Sequence, residues 1–209
     1  MQAQSTLKIK EIFRSFQGEG VALGSASIFL RLSGCSLRCP YCDTKDSWEE
    51  GTLMTIAEII AELDSCREKC THCRVVITGG EPLEQDLSPL VAALKKKKYF
   101  VAIETNGTIF QEVDIDWWTV SPKDVKKYFI HEKLFFRISE VKLVVTPALS
   151  MEVIRRIRGI REDFFIFLQP DWYDKDRYKN VFRLFEQCRE AGLRDVRCGI
   201  QLHKIYAVK

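Results

Sequence analysis

The sequence Gly-Cys-Ser-Leu-Arg-Cys-Pro-Tyr-Cys-Asp-Thr at residues 34–44 decides how the rest of the chain is interpreted. Its cysteines, Cys35, Cys39 and Cys42, have the spacing C-x3-C-x2-C on a short loop after an apolar run. Thiolates are the usual ligands of iron–sulfur clusters, and a four-iron cluster takes four ligands. The loop therefore predicts a 4Fe–4S cluster with one iron left open. Zinc in a structural site would need a fourth ligand from elsewhere in the chain.

Composition and charge narrow the class of protein. The 209 residues are 46% apolar and carry a net charge of +3, so we expect one domain, residues 1–209, with a sizeable core. The small net charge gives no reason to expect nucleic-acid binding. Residues 1–10 lack the apolar stretch of a signal peptide, and no run is long enough to span a membrane. We therefore expect a cytoplasmic protein, in which a content of eight cysteines suggests metal binding rather than disulfides.

Short apolar runs that end in polar, glycine or proline residues recur along the chain, and most are followed by a helical pattern. This alternation predicts parallel strands with crossover helices. The predicted strands are 8–13, 26–32, 75–77, 100–103, 117–120, 141–145, 164–168 and 196–200. The predicted helices are 55–67, 87–94, 153–160 and 178–191.

The ends of these strands are expected to form the functional site. In barrel-type α/β folds the reactive residues lie at the C-terminal ends of the strands, and a full barrel typically takes ~250 residues. The shorter chain therefore predicts a partial, open TIM-like barrel of mostly parallel strands. Six segments would converge on one rim, ending at Cys35, Thr78, Glu104, Ser121, Gln169 and Gln201.

A second motif, Thr-Gly-Gly-Glu-Pro at residues 78–82, follows the next predicted strand after the cysteine loop. Two glycines allow backbone carbonyls to approach a ligand closely, although a tight turn without function is the alternative. With Tyr41 before the third cysteine, the two motifs resemble the radical S-adenosylmethionine (SAM) enzymes. In that family the amino and carboxylate groups of SAM chelate the open iron. One electron then splits SAM to a 5′-deoxyadenosyl radical.

Further segments are similar to one group of that superfamily, the 7-carboxy-7-deazaguanine synthases of queuosine biosynthesis. They are Phe-Gln-Gly-Glu-Gly at 16–20, Cys-Asp-Thr at 42–44, Ile-Glu-Thr-Asn-Gly-Thr at 103–108, Ser-Pro-Lys at 121–123 and Gln-Leu-His-Lys at 201–204. The resemblance implies a lyase that contracts 6-carboxy-5,6,7,8-tetrahydropterin to 7-carboxy-7-deazaguanine with release of ammonia, SAM being regenerated. It also implies a homodimer and an electron donor of the flavodoxin or ferredoxin type.

The same resemblance implies roles for individual residues. The cofactors would be the 4Fe–4S cluster on the three cysteines, SAM, and Mg²⁺ on the hydroxyl of Thr44, since this hard cation takes oxygen ligands. The residues expected to contact SAM are Tyr41, Cys42, Asp43, Gly80, Ser121, Pro122, Lys123 and Gln169. Those expected to contact the substrate are Phe16, Gln17, Gly18, Glu19, Arg31, Thr78, His203 and Lys209, the last through the carboxylate that ends the chain. As lone residues, Arg31 would suggest a surface ion pair and His203 a core or exposed histidine.

A second set of cysteines, Cys66, Cys70 and Cys73, repeats the spacing of the first and lies outside the resemblance. The set is compatible with a second metal site, with a zinc site that includes His72, or with free thiols. Joining the last two cysteines of each set would give a four-cysteine zinc ribbon, although a long helix is predicted between them. Two other functions stay open. A radical SAM activase that generates a glycyl radical on a partner protein would share the cluster and the Gly-Gly-Glu motif, and a non-catalytic zinc-binding module would use the two cysteine sets.

Overall fold

The computed structural model describes residues 5–49, 51–70 and 72–208. Its strands are β1 (Thr6–Phe16), β2 (Ala26–Leu32), β3 (Thr52–Thr55), β4 (Arg74–Gly79), β5 (Val101–Thr105), β6 (Trp117–Val120), β7 (Glu140–Val145), β8 (Phe165–Pro170) and β9 (Val196–Cys198). Its α-helices are α1 (Ile56–Glu68), α2 (Ser88–Lys96), α3 (Met151–Arg158), α4 (Arg177–Glu190) and α5 (Leu202–Ile205).

The strands form a single sheet in the order β3-β1-β2-β4-β5-β6-β7-β8-β9. Strand β1 pairs antiparallel with β2 and with β3, and from β2 to β9 each neighbouring pair is parallel. The edge strands β3 and β9 lie at opposite ends of this order, so the sheet is open. The prediction of a partial, open α/β barrel of mostly parallel strands is confirmed.

One face of the sheet packs against the helices. Alternate strand residues such as Leu30, Ile77 and Ile103 are fully buried and belong to the large core that also contains Leu63 of α1 and Leu90 of α2. Successive side chains of a strand point to opposite faces, so the residues between them face the other way. The helices therefore cover one side of the sheet and leave the concave side for other use.

The concave face is apolar at the bottom and polar at the top. Phe29, Val76 and Ala102 are aligned across β2, β4 and β5 and form a small separate cluster. Two residues further along each of these strands, on the same face, come Arg31, Thr78 and Glu104. The C-terminal ends of the parallel strands thus present polar side chains to one rim.

Local sequence explains the start of α1. Thr55 is the N-cap, its hydroxyl accepts from the backbone N–H of Glu58, and the Glu58 carboxylate accepts from the N–H of Thr55. This reciprocal capping box satisfies backbone donors that would otherwise lack partners. Ile59 and Leu63, on one side of the helix, are completely buried. Burial of each such side chain stabilises the fold by about 2 kcal/mol.

Two elements were not predicted. Strand β3 has four residues at the edge of the sheet, two of them exposed, and α5 has four residues with none buried. Elements this short carry too few apolar positions to show a period. Among the described residues, no helix combines the length and the apolar character that a membrane span requires.

Candidate functional site

A cleft with a volume of ≈ 260 Å³ opens at the C-terminal ends of the parallel strands. Its lining includes each of the six positions at which the predicted strands end, namely Cys35, Thr78, Glu104, Ser121, Gln169 and Gln201. The fold therefore brings together residues that are up to 166 positions apart in the chain, on the side of the sheet that the helices leave open.

The three cysteines of the first motif all line this cleft. Cys39 is buried and the other two, Cys35 and Cys42, are partly buried. Backbone hydrogen bonds fix their loop, from Gly34 N–H to the Ser47 carbonyl at 2.8 Å and from Cys42 N–H to the Cys39 carbonyl at 3.0 Å. Burial raises the pKa of Cys35 and of Cys39, so a bound cation is needed to hold them as thiolates.

The glycine motif packs directly against the cysteine loop at Gly80. A Cβ at that position would lie 2.0 Å from the carbonyl oxygen of Gly34 and 3.0 Å from the Cβ of Cys35. Only glycine permits this approach, which leaves bare backbone beside the first cysteine. Such a cradle fits an iron–sulfur cluster with a small polar ligand bound over it.

Glu81 of the same motif is a buried anchor, 1% exposed. Its carboxylate accepts hydrogen bonds from the Thr105 hydroxyl at 2.7 Å, from the Asn106 N–H at 2.6 Å and from the Leu83 N–H at 3.1 Å. Burial raises the pKa of Glu81 to about 7. The motif is thereby fastened to the end of β5. Sequence reasoning did not assign Glu81 to the site.

Seven of the eight residues expected to contact SAM line the cleft, the exception being the buried Pro122. The Tyr41 hydroxyl donates to Asp124 at 2.7 Å, and the Lys123 ammonium donates to the Ser121 hydroxyl at 2.7 Å. The side-chain oxygen of Gln169 is buried and has no hydrogen-bond partner among the described residues. An orphaned acceptor of this kind fits a ligand that brings an N–H or O–H donor into the cleft.

The C-terminal segment meets the cysteine loop at Asp43. Its carboxylate lies 2.9 Å from the Lys204 ammonium and 3.3 Å from the side-chain nitrogen of Gln201. The cleft walls partly desolvate Asp43, which opposes its ionisation, but Lys204 outweighs this and lowers the pKa of Asp43 to about 2. The neighbouring Thr44 hydroxyl lies 3.1 Å from the same carboxylate. The Thr44 hydroxyl is an oxygen ligand of the kind that a hard cation accepts, whereas the Asp43 carboxylate is already paired with the Lys204 ammonium.

The turn between β1 and β2 brings the expected substrate residues into the cleft. Gln17 donates to Glu104 at 2.9 Å, and Gly18 packs so closely on His203 that a Cβ there would lie 2.1 Å from its Nδ1 atom. Burial lowers the pKa of His203. Phe16 also lines the cleft and makes an edge-on contact with the ring of Tyr206.

Arg31 also lines the cleft, and it is partnered by Glu11 at 3.0 Å on the neighbouring strand. Thr78, also at the rim, has its hydroxyl 3.5 Å from Glu104. Lys209, the last of the expected substrate residues, lies outside the described residues.

Strand β7 contributes residues that the sequence did not indicate. Lys142 is 5% exposed and its ammonium lies 2.7 Å from Glu19 and 3.0 Å from Glu104. Glu140, two residues earlier on the same face, accepts from the Thr119 hydroxyl at 2.8 Å and from the Val21 N–H at 2.8 Å. The sequence did hold one indication of a polar inner face, because Glu140 and Lys142 are charged residues at alternate positions of an otherwise apolar strand.

The second set of cysteines lies apart from this cleft. Cys70 and Cys73 are joined by a disulfide and Cys66 is a free thiol. The expectation that the cysteines avoid disulfides is therefore wrong at this pair. The possible metal site on this set stays a prediction, and it would require the Cys70–Cys73 disulfide to be reduced. Their separation of three residues in a turn after α1 brings them into reach.

Comparisons with known proteins agree on one group. The family model of the Radical SAM superfamily matches residues 30–204. The 7-carboxy-7-deazaguanine synthase of Aquifex aeolicus is 33% identical over 219 aligned positions, which cover 100% of this chain and 97% of that protein. The 7-carboxy-7-deazaguanine synthase of Bacteroides thetaiotaomicron is 45% identical over 137 positions, covering 66% of this chain and 69% of that protein.

Solved structures give the same answer for the fold. The crystal structure of QueE from Escherichia coli superposes with a TM-score of 0.76 at 30% identity, covering 95% of each chain. Streptococcus suis SuiB bound to its precursor peptide SuiA superposes with a TM-score of 0.58 over 83% of this chain and 48% of that chain. At 16% identity this second likeness concerns the fold alone.

Proposed function

The chain belongs to the radical SAM superfamily and, within it, to the 7-carboxy-7-deazaguanine synthases, and on this premise we propose how its cleft carries out their reaction. The resemblance drawn from the cysteine and glycine motifs is thereby confirmed. The activity is that of a lyase that converts 6-carboxy-5,6,7,8-tetrahydropterin to 7-carboxy-7-deazaguanine. The ring contracts and ammonia leaves with no net oxidation, so the SAM that starts each cycle is recovered at its end.

We propose that Cys35, Cys39 and Cys42 hold a 4Fe–4S cluster and that SAM binds above it, beside Gly80. When bound, the cluster and SAM together supply one-electron reduction and a group that abstracts hydrogen. The chain's own part is to bind and orient. Lys123 and the unpartnered oxygen of Gln169 offer a donor and an acceptor to SAM, which carries groups of both kinds.

The substrate would lie over the polar upper layer of the concave face. Gln17 and Glu19 present an amide and a carboxylate to the amino-pyrimidinone ring, which combines N–H donors with a carbonyl acceptor. Arg31 and His203 are the proposed partners of the substrate carboxylate, Arg31 being able to bind it with two parallel hydrogen bonds. Thr78 is the proposed contact from the rim of β4.

Three finer features belong to this proposal. Mg²⁺ would be held by Thr44 and would orient the substrate carboxylate while stabilising charge as the ring rearranges. A flavodoxin or ferredoxin would deliver the electron, and the chain would act in the cytoplasm, where such donors stay reduced. A homodimer is proposed from the family alone.

The observation that carries the proposal is that three distant segments line one cleft: the cysteine loop, the turn at residues 16–20 and the segment at 201–204. The function of a glycyl-radical activase does not require the turn at residues 16–20 or the segment at 201–204. A zinc-binding module does not require a cleft beside the cysteines.

Turnover tests the proposal directly. Reconstituted protein is incubated without oxygen with SAM, a reductant, Mg²⁺ and the carboxy-pterin, and we expect 7-carboxy-7-deazaguanine and ammonia in equal amounts. The Cys39→Ser variant is the blank. Formation of 5′-deoxyadenosine only with a protein partner would show the substrate to be wrong. Zinc without iron or sulfide in anaerobically purified protein would favour the non-catalytic module.

A further inference from the structure

Lys142 occupies the floor of the cleft, where it touches both elements that the substrate would meet. It is 5% exposed, and its ammonium joins Glu19, from the turn after β1, to Glu104, from the end of β5. Glu104 in turn accepts from Gln17 at 2.9 Å. One cation therefore sets the positions of three polar side chains that come from different parts of the chain.

Glu140, on the same face of β7, fixes the backbone of that turn. Its carboxylate accepts from the Val21 N–H, and a Cβ on Gly20 would lie 2.3 Å from one of its oxygens. Gly20 has φ +69, which favours glycine. Strand β7 thus contacts the turn in two ways: Glu140 binds the backbone N–H of Val21, and Lys142 binds the side chain of Glu19.

The charges of the group are unbalanced. Two carboxylates, Glu19 and Glu104, contact the one ammonium directly; Glu140 adds negative charge near Lys142, and Arg31 adds positive charge near Glu104. Burial alone would favour the neutral forms, yet the two carboxylates raise the pKa of Lys142, and Lys142 lowers the pKa of Glu104. Lys142 and Glu104 are therefore held in their charged forms. Each carboxylate oxygen can accept more than one hydrogen bond, so Glu19 and Glu104 keep acceptor capacity beyond their contacts with Lys142, Gln17, Gln201 and Thr78.

We propose that Lys142 is a positioning residue for the substrate, one that holds Glu19 and Glu104 as a preformed pair of acceptors for the N–H-rich edge of an amino-pyrimidinone ring. This inference rests on the proposed function. A buried ion pair is weak support for stability by itself, because well-packed apolar residues often serve the fold as well. The retained charges are explained by ligand recognition, since a donor edge gains most from acceptors that are already fixed and ionised.

The test compares Lys142→Gln, which keeps hydrogen-bond donors but removes the charge, with Lys142→Arg, which keeps the charge. Lys95→Gln is the matched control, because Lys95 is ion-paired with Asp116 away from the cleft. Binding of 7-carboxy-7-deazaguanine to the reconstituted, cluster-containing protein is measured by calorimetry, and KM for the pterin and for SAM by turnover.

We expect Lys142→Gln to weaken product binding and raise KM for the pterin by about tenfold or more, as expected for loss of a charge-assisted contact, with KM for SAM within about twofold. Lys142→Arg should recover part of the loss, and Lys95→Gln should match the wild type. Equal weakening of pterin and SAM, or wild-type binding by Lys142→Gln, would overturn the inference. If the wild type neither binds the product nor turns over, the proposed function fails instead.

Thermal unfolding and iron content check that the variants fold. If Lys142→Gln does not fold, the double variant with Glu19→Gln restores the wild-type net charge of the group and carries the test. Its product binding should remain weak, and binding at the wild-type level would overturn the inference.

Discussion

The ammonium of Lys204 lies 2.9 Å from the carboxylate of Asp43, so the segment after β9 is joined to the cysteine loop by an ion pair. Asp43 directly follows Cys42, the third cysteine of the first motif. The last part of the chain and the loop that is proposed to hold the cluster are therefore positioned together, although 161 residues separate these two side chains.

Loss of this ion pair should affect ligand binding more than stability. Lys204→Met is expected to lower the free energy of unfolding by less than about 1 kcal/mol, because the Asp43 side chain is 41% exposed and exposed ion pairs contribute little. KM for SAM should rise by about threefold or more, since Asp43 is its proposed contact. Lys179→Met, which removes the exposed pair with Asp176, is the control. An unchanged KM for SAM would contradict the role of Asp43.

Glu81 should make stability fall as the pH rises. Its pKa is raised from 4.5 to about 7 in the folded protein, so between these values the native state keeps a proton that the unfolded chain has lost. The resulting stabilisation is full below pH 4.5 and lost by about pH 7, and its size is about 3 kcal/mol. Urea unfolding at pH 5 and pH 8 should show a smaller decline for Glu81→Gln than for the wild type. If the free energy of unfolding falls equally in Glu81→Gln and in the wild type between pH 5 and pH 8, the role of Glu81 is contradicted. Glu190→Gln is the control.

Gly18→Ala should displace His203. The added Cβ would lie 2.1 Å from Nδ1 of that ring, so one of the two segments must shift. We expect a loss of about 1–3 kcal/mol in the free energy of unfolding, as for other overpacked sites, and a larger effect on KM for the pterin than on KM for SAM. Gly159→Ala is the control, since its nearest contacts would be at 3.4 Å. A wild-type KM for the pterin would argue against a substrate contact from His203.

Serine in place of any cysteine of the first motif should abolish the cluster. We expect Cys39→Ser to lose most of its bound iron and all measurable turnover, because serine replaces a thiolate ligand of a three-ligand site. Cys198→Ser changes an exposed free thiol and should keep both, as should Cys70→Ser. Iron and sulfide are measured after anaerobic reconstitution. A wild-type iron content in Cys39→Ser would show that Cys39 is not a ligand of the cluster.

Removal of the Thr44 hydroxyl tests the proposed Mg²⁺ site. Thr44→Ala should need about tenfold more Mg²⁺ for half-maximal turnover, a change of about 1.4 kcal/mol, while its iron content stays at the wild-type level. Thr52→Ala, at an exposed position of β3, should respond to Mg²⁺ as the wild type does. If Thr44→Ala and the wild type need the same Mg²⁺ concentration for half-maximal turnover, Thr44 is not a ligand of the ion.

Patterns within short stretches predicted much of this molecule. Strands β2 and β6 have the predicted bounds, and Thr55, the first residue of the helix predicted at 55–67, is the N-cap of α1. Motifs at strand ends also indicated the rim, because parallel strands place their C-terminal ends together. Interactions between distant elements were not predictable. Lys142 becomes part of the site only because the curved sheet brings β7 to the turn after β1. The sequence of a single strand does not indicate which distant segment it will contact.

The open edge of the sheet has a consequence for how the cleft is entered. Among the described residues, no strand pairing joins the turn at residues 16–20 to the segment at 201–204; their contacts include a backbone hydrogen bond from the Leu202 N–H to the Gly18 carbonyl and a side-chain bond from Gln201 to Glu19. Parting these contacts leaves the strand ladders intact. A large ligand could therefore enter the cleft at this point without breaking the hydrogen bonds of the sheet.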